Sequence, residues 1–216
     1  MAIGFIPRPT DALIVVDPQN DFCPGGALAV TGGDAIMPDI ASLAATFTHV
    51  VVTQDWHPAG HSSFASSHPG ASPFTTIAMP YGDQVLWPDH CIQGSAGAAF
   101  HPAVAPAVDR AQMIVRKGHD PAIDSYSAFR ENDRTTRTGL AGYLRDIGVT
   151  RCVLVGLAYD FCVGWSALDA VANGFEAIVL TDLTRVIAMP LVHGRTTVDD
   201  IENRFRAAGV VLRTAG

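Results

Sequence analysis

The stretch that decides the fold reads V-L-V-G-L-A-Y-D-F-C, residues 153–162. Its apolar run breaks at Gly156 and crosses a short turn, and from Cys162 onward apolar residues recur at helical spacing. This pattern predicts a buried strand followed by a helix, with Asp160 as the helix N-cap. Unpaired N–H groups at a helix N-terminus favour a thiolate, although a free cysteine is also a common buried apolar residue. Cys162 is therefore a candidate nucleophile.

Similar apolar runs alternate with helical segments along the rest of the chain. The runs predict strands at 11–16, 49–53, 111–116, 151–155, 176–181 and 210–212, and the spacing predicts helices at 34–48, 138–147, 162–173 and 196–208. Continuous apolar strands that alternate with helices indicate a parallel sheet covered on both faces. We therefore expect a single α/β domain over residues 1–216, a Rossmann-like three-layer sandwich with a six-stranded, mainly parallel sheet.

Composition narrows the classes of partner. Of the 216 residues, 48% are hydrophobic and 16% charged, and the formal charge of -7 argues against a nucleic-acid or anionic-membrane surface. Small molecules are the expected partners, and a homo-oligomer is left open. The four cysteines lie far apart, and neither a signal peptide nor a membrane-spanning run is recognisable. Reduced thiols and a cytoplasmic location are therefore expected.

Chemically useful side chains follow four of the predicted strands. They are Asp17, Asp55, Lys117 and Cys162. Open parallel sheets bind ligands beyond the carboxyl ends of their strands, so we expect these four side chains to lie together. Each has an ordinary alternative taken singly: Asp17 as a loop cap, Asp55 as a turn former and Lys117 as a solvated strand end.

A thiol that attacks an amide needs a base to remove its proton and a nearby cation to stabilise the thiolate. Asp17 is the candidate base and Lys117 the candidate cation. The turn at 157–158 and the helix start at Cys162 can supply N–H groups for an oxyanion. A Cys/His pair is the alternative, although none of the eight histidines is recognisably attached to the end of a parallel strand.

The region of about 55–102 is a candidate metal- and substrate-binding loop, rich in Gly, Pro, Ser and His and without a clean period. Asp55 and His57 are two residues apart, which in an extended segment points both side chains to one side. His90 offers a third ligand. One Asp and two His suit a zinc, iron or manganese ion, although D-x-H is a weak signal by spacing alone. His61 is either a group that supports the ligands or a polar loop residue.

Six segments occur in a characteristic order. They are V-D-P-Q-N-D-F at 16–22, D-W-H-P-A-G-H-S-S-F at 55–64, W-P-D-H-C at 87–91, K-G at 117–118, D-S-Y-S-A-F at 124–129 and G-L-A-Y-D-F-C at 156–162. Together they resemble the nicotinamidase branch of the isochorismatase-like cysteine hydrolases. The resemblance covers most of the chain.

The resemblance implies a complete set of site residues. The catalytic triad is expected to be Asp17, Lys117 and Cys162, and the ligands of a divalent transition metal are expected to be Asp55, His57 and His90. The substrate ring is expected to contact Phe22, Trp87, Tyr126 and Leu157. The oxyanion is expected at the N–H groups of Ala158 and Cys162, beside a cis peptide bond between Leu157 and Ala158.

The activity implied by the resemblance is hydrolysis of nicotinamide to nicotinate and ammonia through a thioester, in NAD salvage, with pyrazinamide as a second substrate. A related hydrolase of N-carbamoyl compounds or isochorismate is one alternative, and a non-catalytic metal-containing binding module is another. The chain departs from the family pattern at Tyr159, where a small hydroxyl residue is frequent, and in parts of 183–195.

Overall fold

The structure, a computed structural model, describes residues 4–216. Its strands are β1 (Asp11–Val16), β2 (His49–Asp55), β3 (Thr76–Met79), β4 (Gly82–Val85), β5 (Met113–Lys117), β6 (Arg151–Leu157), β7 (Glu176–Arg185) and β8 (Val211–Arg213). Its α-helices are α1 (Met37–Ala44), α2 (Ala105–Arg110), α3 (Leu140–Asp146), α4 (Gly164–Ala172) and α5 (Thr197–Ala208). A π-helical turn, Tyr159–Val163, lies between β6 and α4.

Six of the strands form one sheet in the order β5-β2-β1-β6-β7-β8, and every neighbouring pair is parallel. The strand order runs outward from β1 in both directions, so the topological switch point lies between β1 and β6. Ligands of open parallel sheets bind at this point, beyond the carboxyl ends of the strands. The fold therefore predicts that a ligand site includes the residues that follow β1 and β6.

The sheet separates two apolar layers, because alternate residues of each strand face opposite sides. On β1, Leu13 and Val15 pack into one core, and Ala12, Ile14 and Val16 pack into the other. Helices α1 and α2 cover the first face, and helices α3, α4 and α5 cover the second. The predicted three-layer α/β sandwich is confirmed.

The two strands at the switch point begin with a buried ion pair. Arg151, the first residue of β6, donates to the carboxylate of Asp11, the first residue of β1, over 2.8 Å from Nε and 2.5 Å from Nη2. The two residues stand 140 positions apart in the chain and are paired in the sheet register. This contact links the two halves of the sheet at the edge opposite the candidate site.

One hairpin and one helix were not predicted. The loop region contains an antiparallel hairpin of β3 and β4, and α2 precedes β5. β7 also continues to Arg185, with an irregular register against β6. Among residues 4–216, no helix combines the length and apolar content needed to cross a membrane.

Candidate active site

Four strand ends deliver polar side chains to one buried cluster. Asp17 is the first residue after β1, Asp55 is the last of β2, Lys117 is the last of β5, and Cys162 lies in the turn after β6. All four are buried, and the exposed fraction is largest for Cys162, at 8%. The expectation that these residues come together is confirmed.

Lys117 lies at the centre of the cluster. Its Nζ is 2.8 Å from Asp17 Oδ2, 2.9 Å from Asp55 Oδ1 and 3.4 Å from Cys162 Sγ, and it donates to the carbonyl of Ser125 over 3.1 Å. Burial by itself lowers the pKa of this amine, but Asp17 and Asp55 outweigh burial and hold the pKa well above its ordinary value. Lys117 is therefore a buried cation, and its alternative role as a solvated strand end is wrong.

The two carboxylate oxygens of Asp17 differ, because only one of them accepts a well-directed hydrogen bond from residues 4–216. Thr53 Oγ1 donates to Asp17 Oδ1 over 2.6 Å and accepts the Asp17 N–H over 3.0 Å. Among the described residues, Asp17 Oδ2 receives no well-directed hydrogen bond, although Lys117 Nζ is close to it. Burial raises the pKa of Asp17, against the opposing effect of Lys117. An ionised Asp17 thus offers a free, basic lone pair within the cluster.

Cys162 lies in the π-helical turn Tyr159–Val163, which we name the nucleophile turn. The peptide bond between Leu157 and Ala158 is cis, as expected. The N–H groups of Phe161 and Val163 both donate to the carbonyl of Ala158, over 3.1 and 3.0 Å. Burial raises the pKa of the Cys162 thiol well above its ordinary value, although Lys117 opposes this. The thiol therefore needs a base before it can attack.

Asp160 does not cap a helix, so that prediction is wrong. No side-chain cap is present at the start of the nucleophile turn, and α4 begins two residues after Cys162, at Gly164. The carboxylate of Asp160 instead accepts the N–H groups of Ile187 and Ala188, each over 2.9 Å. The physical reason is that two successive N–H groups from another segment offer this buried carboxylate better-placed donors than its own turn.

The three predicted metal ligands converge on one point. Asp55 Oδ2 lies 2.9 Å from His57 Nε2 and 3.2 Å from His90 Nε2. His57 Nδ1 donates to the carbonyl of Gly118 over 2.9 Å, and His90 Nδ1 donates to the carbonyl of Pro88 over 2.8 Å.

Because a carbonyl only accepts, each Nδ1 carries a hydrogen, and in the neutral form of either ring Nε2 then presents a lone pair. Two such lone pairs and a carboxylate oxygen facing one another form a donor set that a divalent cation satisfies. The residues present therefore fit a metal ion.

His61 lies behind this donor set. Its ring is 4.4 Å from that of His57, while its Nδ1 faces Ser63 Oγ over 2.8 Å and its Nε2 faces the carbonyl of Asp120 over 2.8 Å. Asp124 Oδ1 is 3.8 Å from His57 Nε2. Both ring nitrogens of His61 thus have protein partners, and the residue packs beside the predicted ligand His57.

An aromatic pocket opens onto Cys162 and holds about 330 Å³ of empty space, including open solvent at its mouth. Phe22, Trp87 and Tyr126 line it, as predicted. The ring of Phe161 forms a further wall, with its centroid 4.9 Å from that of Trp87 and 5.5 Å from that of Tyr126. These edge-to-face rings make a slot suited to a flat aromatic ligand.

Leu157 is the predicted substrate-binding residue that the structure places elsewhere. Its side chain is fully buried in the core, on the face covered by α1 and α2, and it is absent from the pocket lining. The physical reason is the alternation along β6, which turns this side chain into the core with Val153 and Val155. Leu157 is left out of the binding set proposed below.

Several functional neighbours were missed in the sequence. Thr53 orients Asp17, and Gln19 binds both backbone groups of Asp55, over 2.8 Å each. Glu131 Oε2 accepts the N–H of Gly118 over 3.3 Å. A polar threonine inside the apolar run of β2 was the available signal for Thr53. Gln19 and Glu131 gave none, because their partners are backbone groups of distant segments.

The chain matches the Isochorismatase domain model over residues 11–207. It is 54% identical over 178 residues to a nicotinamidase of Acinetobacter baylyi, covering 82% of each chain. It is similar in structure to a nicotinamidase/pyrazinamidase of Acinetobacter baumannii, with a TM-score of 0.91, 49% identity and coverage of 96% of this chain and 97% of the other.

A pyrazinamidase of Pyrococcus horikoshii in complex with zinc is similar as well, with a TM-score of 0.72, 33% identity and coverage of 95% of this chain and 99% of the other. The family model runs from the start of β1 to the penultimate residue of α5, and it includes every strand end that contributes to the site. This chain belongs to the isochorismatase family.

Proposed function

We propose that this chain is a nicotinamidase, which hydrolyses nicotinamide to nicotinate and ammonia and accepts pyrazinamide as a second substrate. The observation that carries the proposal is the single buried amine of Lys117, which contacts a carboxylate base, a thiol and a carboxylate of the metal donor set. The likeness to relatives named as nicotinamidases and pyrazinamidases supports the same substrates.

The pocket suits a flat ring that carries a carboxamide. Trp87, Tyr126 and Phe161 present edges and faces to such a ring, and Cys162 lines the same pocket for attack on the carboxamide. When bound, a divalent transition-metal ion such as zinc, iron or manganese supplies a positively charged partner for a ring nitrogen or a water molecule. We assign its binding to Asp55, His57 and His90.

The first half of the reaction forms a thioester. The proton of the Cys162 thiol passes to Asp17 Oδ2, and the sulfur attacks the carboxamide carbon. Lys117 stays protonated and keeps the carboxylate and the sulfur in place. The oxyanion accepts hydrogen bonds from the N–H groups of Ala158 and Cys162, since those of Phe161 and Val163 are already paired.

The second half returns the enzyme to its starting state. Asp17 gives the proton to the departing nitrogen, the carbon–nitrogen bond breaks, and ammonia leaves. Asp17 is then ionised again and removes a proton from a water molecule that attacks the thioester. Breaking the carbon–sulfur bond releases nicotinic acid, which loses its proton to solvent and becomes nicotinate, and the proton held by Asp17 returns to the thiolate of Cys162.

Ammonia release from nicotinamide tests the proposal directly. We expect release by the wild-type protein and its loss on chelation of metal. Cys162→Ala should lower it by more than about 10³-fold, because removal of a nucleophile from a catalytic unit disables the whole unit. Cys23→Ala is the matched control, since Cys23 is also buried and does not line the aromatic pocket. Ammonia release that persists in Cys162→Ala refutes the proposal.

A related hydrolase that acts on N-carbamoyl compounds or isochorismate is the second candidate. The converging lone pairs of His57 and His90 favour the first candidate, because those two rings have no role in a metal-free thiol mechanism. Full activity of carefully demetallated protein toward an N-carbamoyl compound, without activity toward nicotinamide, would favour the second.

A further inference from the structure

A short segment with an unusual backbone borders the catalytic pocket. We name residues 186–189, which follow β7 directly, the strap. Ile187 of the strap lines the aromatic pocket, and with Leu28 it also lines a larger apolar groove outside it. Ala188 has a φ of 58°, in the left-handed region that residues other than glycine rarely adopt. The strap thus separates the pocket from the groove in a backbone conformation that needs support.

That support comes from one carboxylate of the nucleophile turn. Asp160 is 3% exposed; its Oδ1 accepts the N–H of Ile187 and its Oδ2 accepts the N–H of Ala188, over 2.9 Å each. Thr197 Oγ1 also donates to Oδ2. Two successive N–H groups form a concave anion site, and hydrogen bonds to an ionised carboxylate are roughly twice as strong as neutral ones.

Met189, the last residue of the strap, binds Thr197, which itself binds Asp160. Met189 N–H donates to Thr197 Oγ1 over 3.0 Å, and Thr197 N–H donates to the carbonyl of Met189 over 2.9 Å. Thr197 is the first residue of α5. Asp160 therefore joins three parts of the molecule, namely the nucleophile turn, the strap and the start of α5.

We propose that Asp160 is a positioning residue, which anchors the strap to the nucleophile turn so that Ile187 closes the catalytic pocket on the side of the groove. The inference rests on the proposed function for its kinetic consequences. Loss of the anchor frees Ile187 and joins the pocket to the groove. The contacts among Asp17, Lys117 and Cys162 do not involve Asp160, so the chemical step should change little.

The kinetic test compares Asp160→Asn with Asp182→Asn. Asp182 is a matched control because its carboxylate also accepts a backbone N–H, that of Ala215, and does not line the pocket. For Asp160→Asn we expect KM for nicotinamide to rise by about 10-fold or more, the scale of a lost apolar pocket contact, with kcat within about threefold. The ratio of kcat/KM for a ring-propylated nicotinamide to kcat/KM for nicotinamide should increase. A fall in kcat at unchanged KM, or a shifted pH profile of kcat, overturns the inference.

Two variants, one in the strap and one at the start of α5, test the inference if Asp160→Asn fails to fold. Ile187→Ala should reproduce the rise in KM and the gain toward the propylated substrate, and Thr197→Val should give a smaller change in the same direction. In the Ile187→Ala background, Asp160→Asn or Thr197→Val should add little, because all three act through one side chain. Additive effects on KM contradict the inference.

Hydrogen exchange separates this inference from the proposed function. The amides of Ile187 and Ala188 should be protected in the wild-type protein and lose protection in Thr197→Val and Asp160→Asn, but not in Asp182→Asn. If these two amides exchange at the same rate in Asp160→Asn and the wild type, the anchor is refuted. Absence of ammonia release by the wild type refutes the proposed function alone.

Discussion

Thr53→Val isolates the hydrogen bonds that orient the proposed base. Val has nearly the shape of Thr, so the change removes the hydroxyl and leaves the packing of β2 intact. Asp17 loses a hydrogen bond to its carboxylate, worth about 1.5–3 kcal/mol, and its buried N–H is left unpaired, at about 1–3 kcal/mol. Both residues are fully buried, so water does not replace the lost group. We expect the free energy of unfolding to fall by about 2.5–6 kcal/mol.

Thermal and denaturant unfolding measure this change. In a chain of 216 residues, it corresponds to a fall in Tm of roughly 5–24 °C. Thr53→Ser is the control, because it keeps the hydroxyl and loses one buried methyl group, at about 1 kcal/mol. If Thr53→Val is no less stable than Thr53→Ser, Thr53 does not hold Asp17 as described.

The same variant has a signature in catalysis. The Thr53 hydrogen bond stabilises ionised Asp17 and so lowers its pKa, and its loss raises that pKa. Asp17 must be ionised to accept the thiol proton, so the acid limb of the kcat/KM profile should move to higher pH in Thr53→Val. An acid limb that stays in place in Thr53→Val contradicts the assignment of Asp17 as the base.

Three further predictions follow from the metal donor set and the surface. His57→Ala should weaken zinc binding by more than about 100-fold, since loss of a group that only orients a ligand already lowers metal affinity by about 10–100-fold. His68→Ala is the control and should bind zinc normally. Equal zinc content in the two purified variants would show that His57 is not a ligand. Gly118→Ala should also lower metal content, because the new Cβ would lie 2.5 Å from His57 Cε1. Gly25 also has a positive φ but no neighbour within 4 Å of such a Cβ, so Gly25→Ala should keep its metal. Desolvation raises the pKa of the Asp133 carboxyl, but hydrogen bonds from Thr136 and Thr135 outweigh it and hold that pKa below its ordinary value. These bonds therefore stabilise the folded protein at a pH above the pKa that Asp133 has in the unfolded chain. Their stabilising effect is lost as the pH falls through the pKa that Asp133 has in the folded protein. Asp133→Asn should therefore lower Tm at neutral pH and flatten its decline below about pH 4, and parallel Tm profiles for variant and wild type would show that these bonds contribute nothing.

The sheet could be predicted because its strands are buried on both faces. β1 and β6 read as continuous apolar runs, and each ends in a turn that carries a polar or reactive residue. The hairpin of β3 and β4 could not be found in this way. Seven of its eight strand residues are only partly buried or exposed, so no apolar period marks it. The periodicity of apolar residues therefore predicts only those strands and helices that pack against a core.

The site could be predicted where a residue is presented by a strand end. Asp17, Asp55, Lys117 and Cys162 were found by that rule, and their convergence follows from parallel pairing. Partners that lie far apart in sequence left no local signal, and Asp160 was misassigned for this reason. Its donors, Ile187 and Ala188, come from a segment more than 25 residues later.

Other predictions concern the extent of the domain, the location and assembly of the protein, and its metal. A single folding domain over residues 1–216, the cytoplasmic location, a homo-oligomer and the identity of the metal stay predictions. The catalytic, oxyanion and substrate-contact roles are proposals, and Cys162→Ala and Thr53→Val test the catalytic ones.

The pairing of β1 with β6 has a consequence for folding. Residues 140 positions apart, Asp11 and Arg151, must meet before the central strand gains this neighbour, and pairing over such distances is slow. Until it occurs, Cys162 is held near neither Asp17 nor Lys117. The thiol therefore acquires its proton acceptor only when the two halves of the sheet join. During refolding, the recovery of ammonia release should follow the formation of the β1–β6 pair rather than the earlier formation of helices.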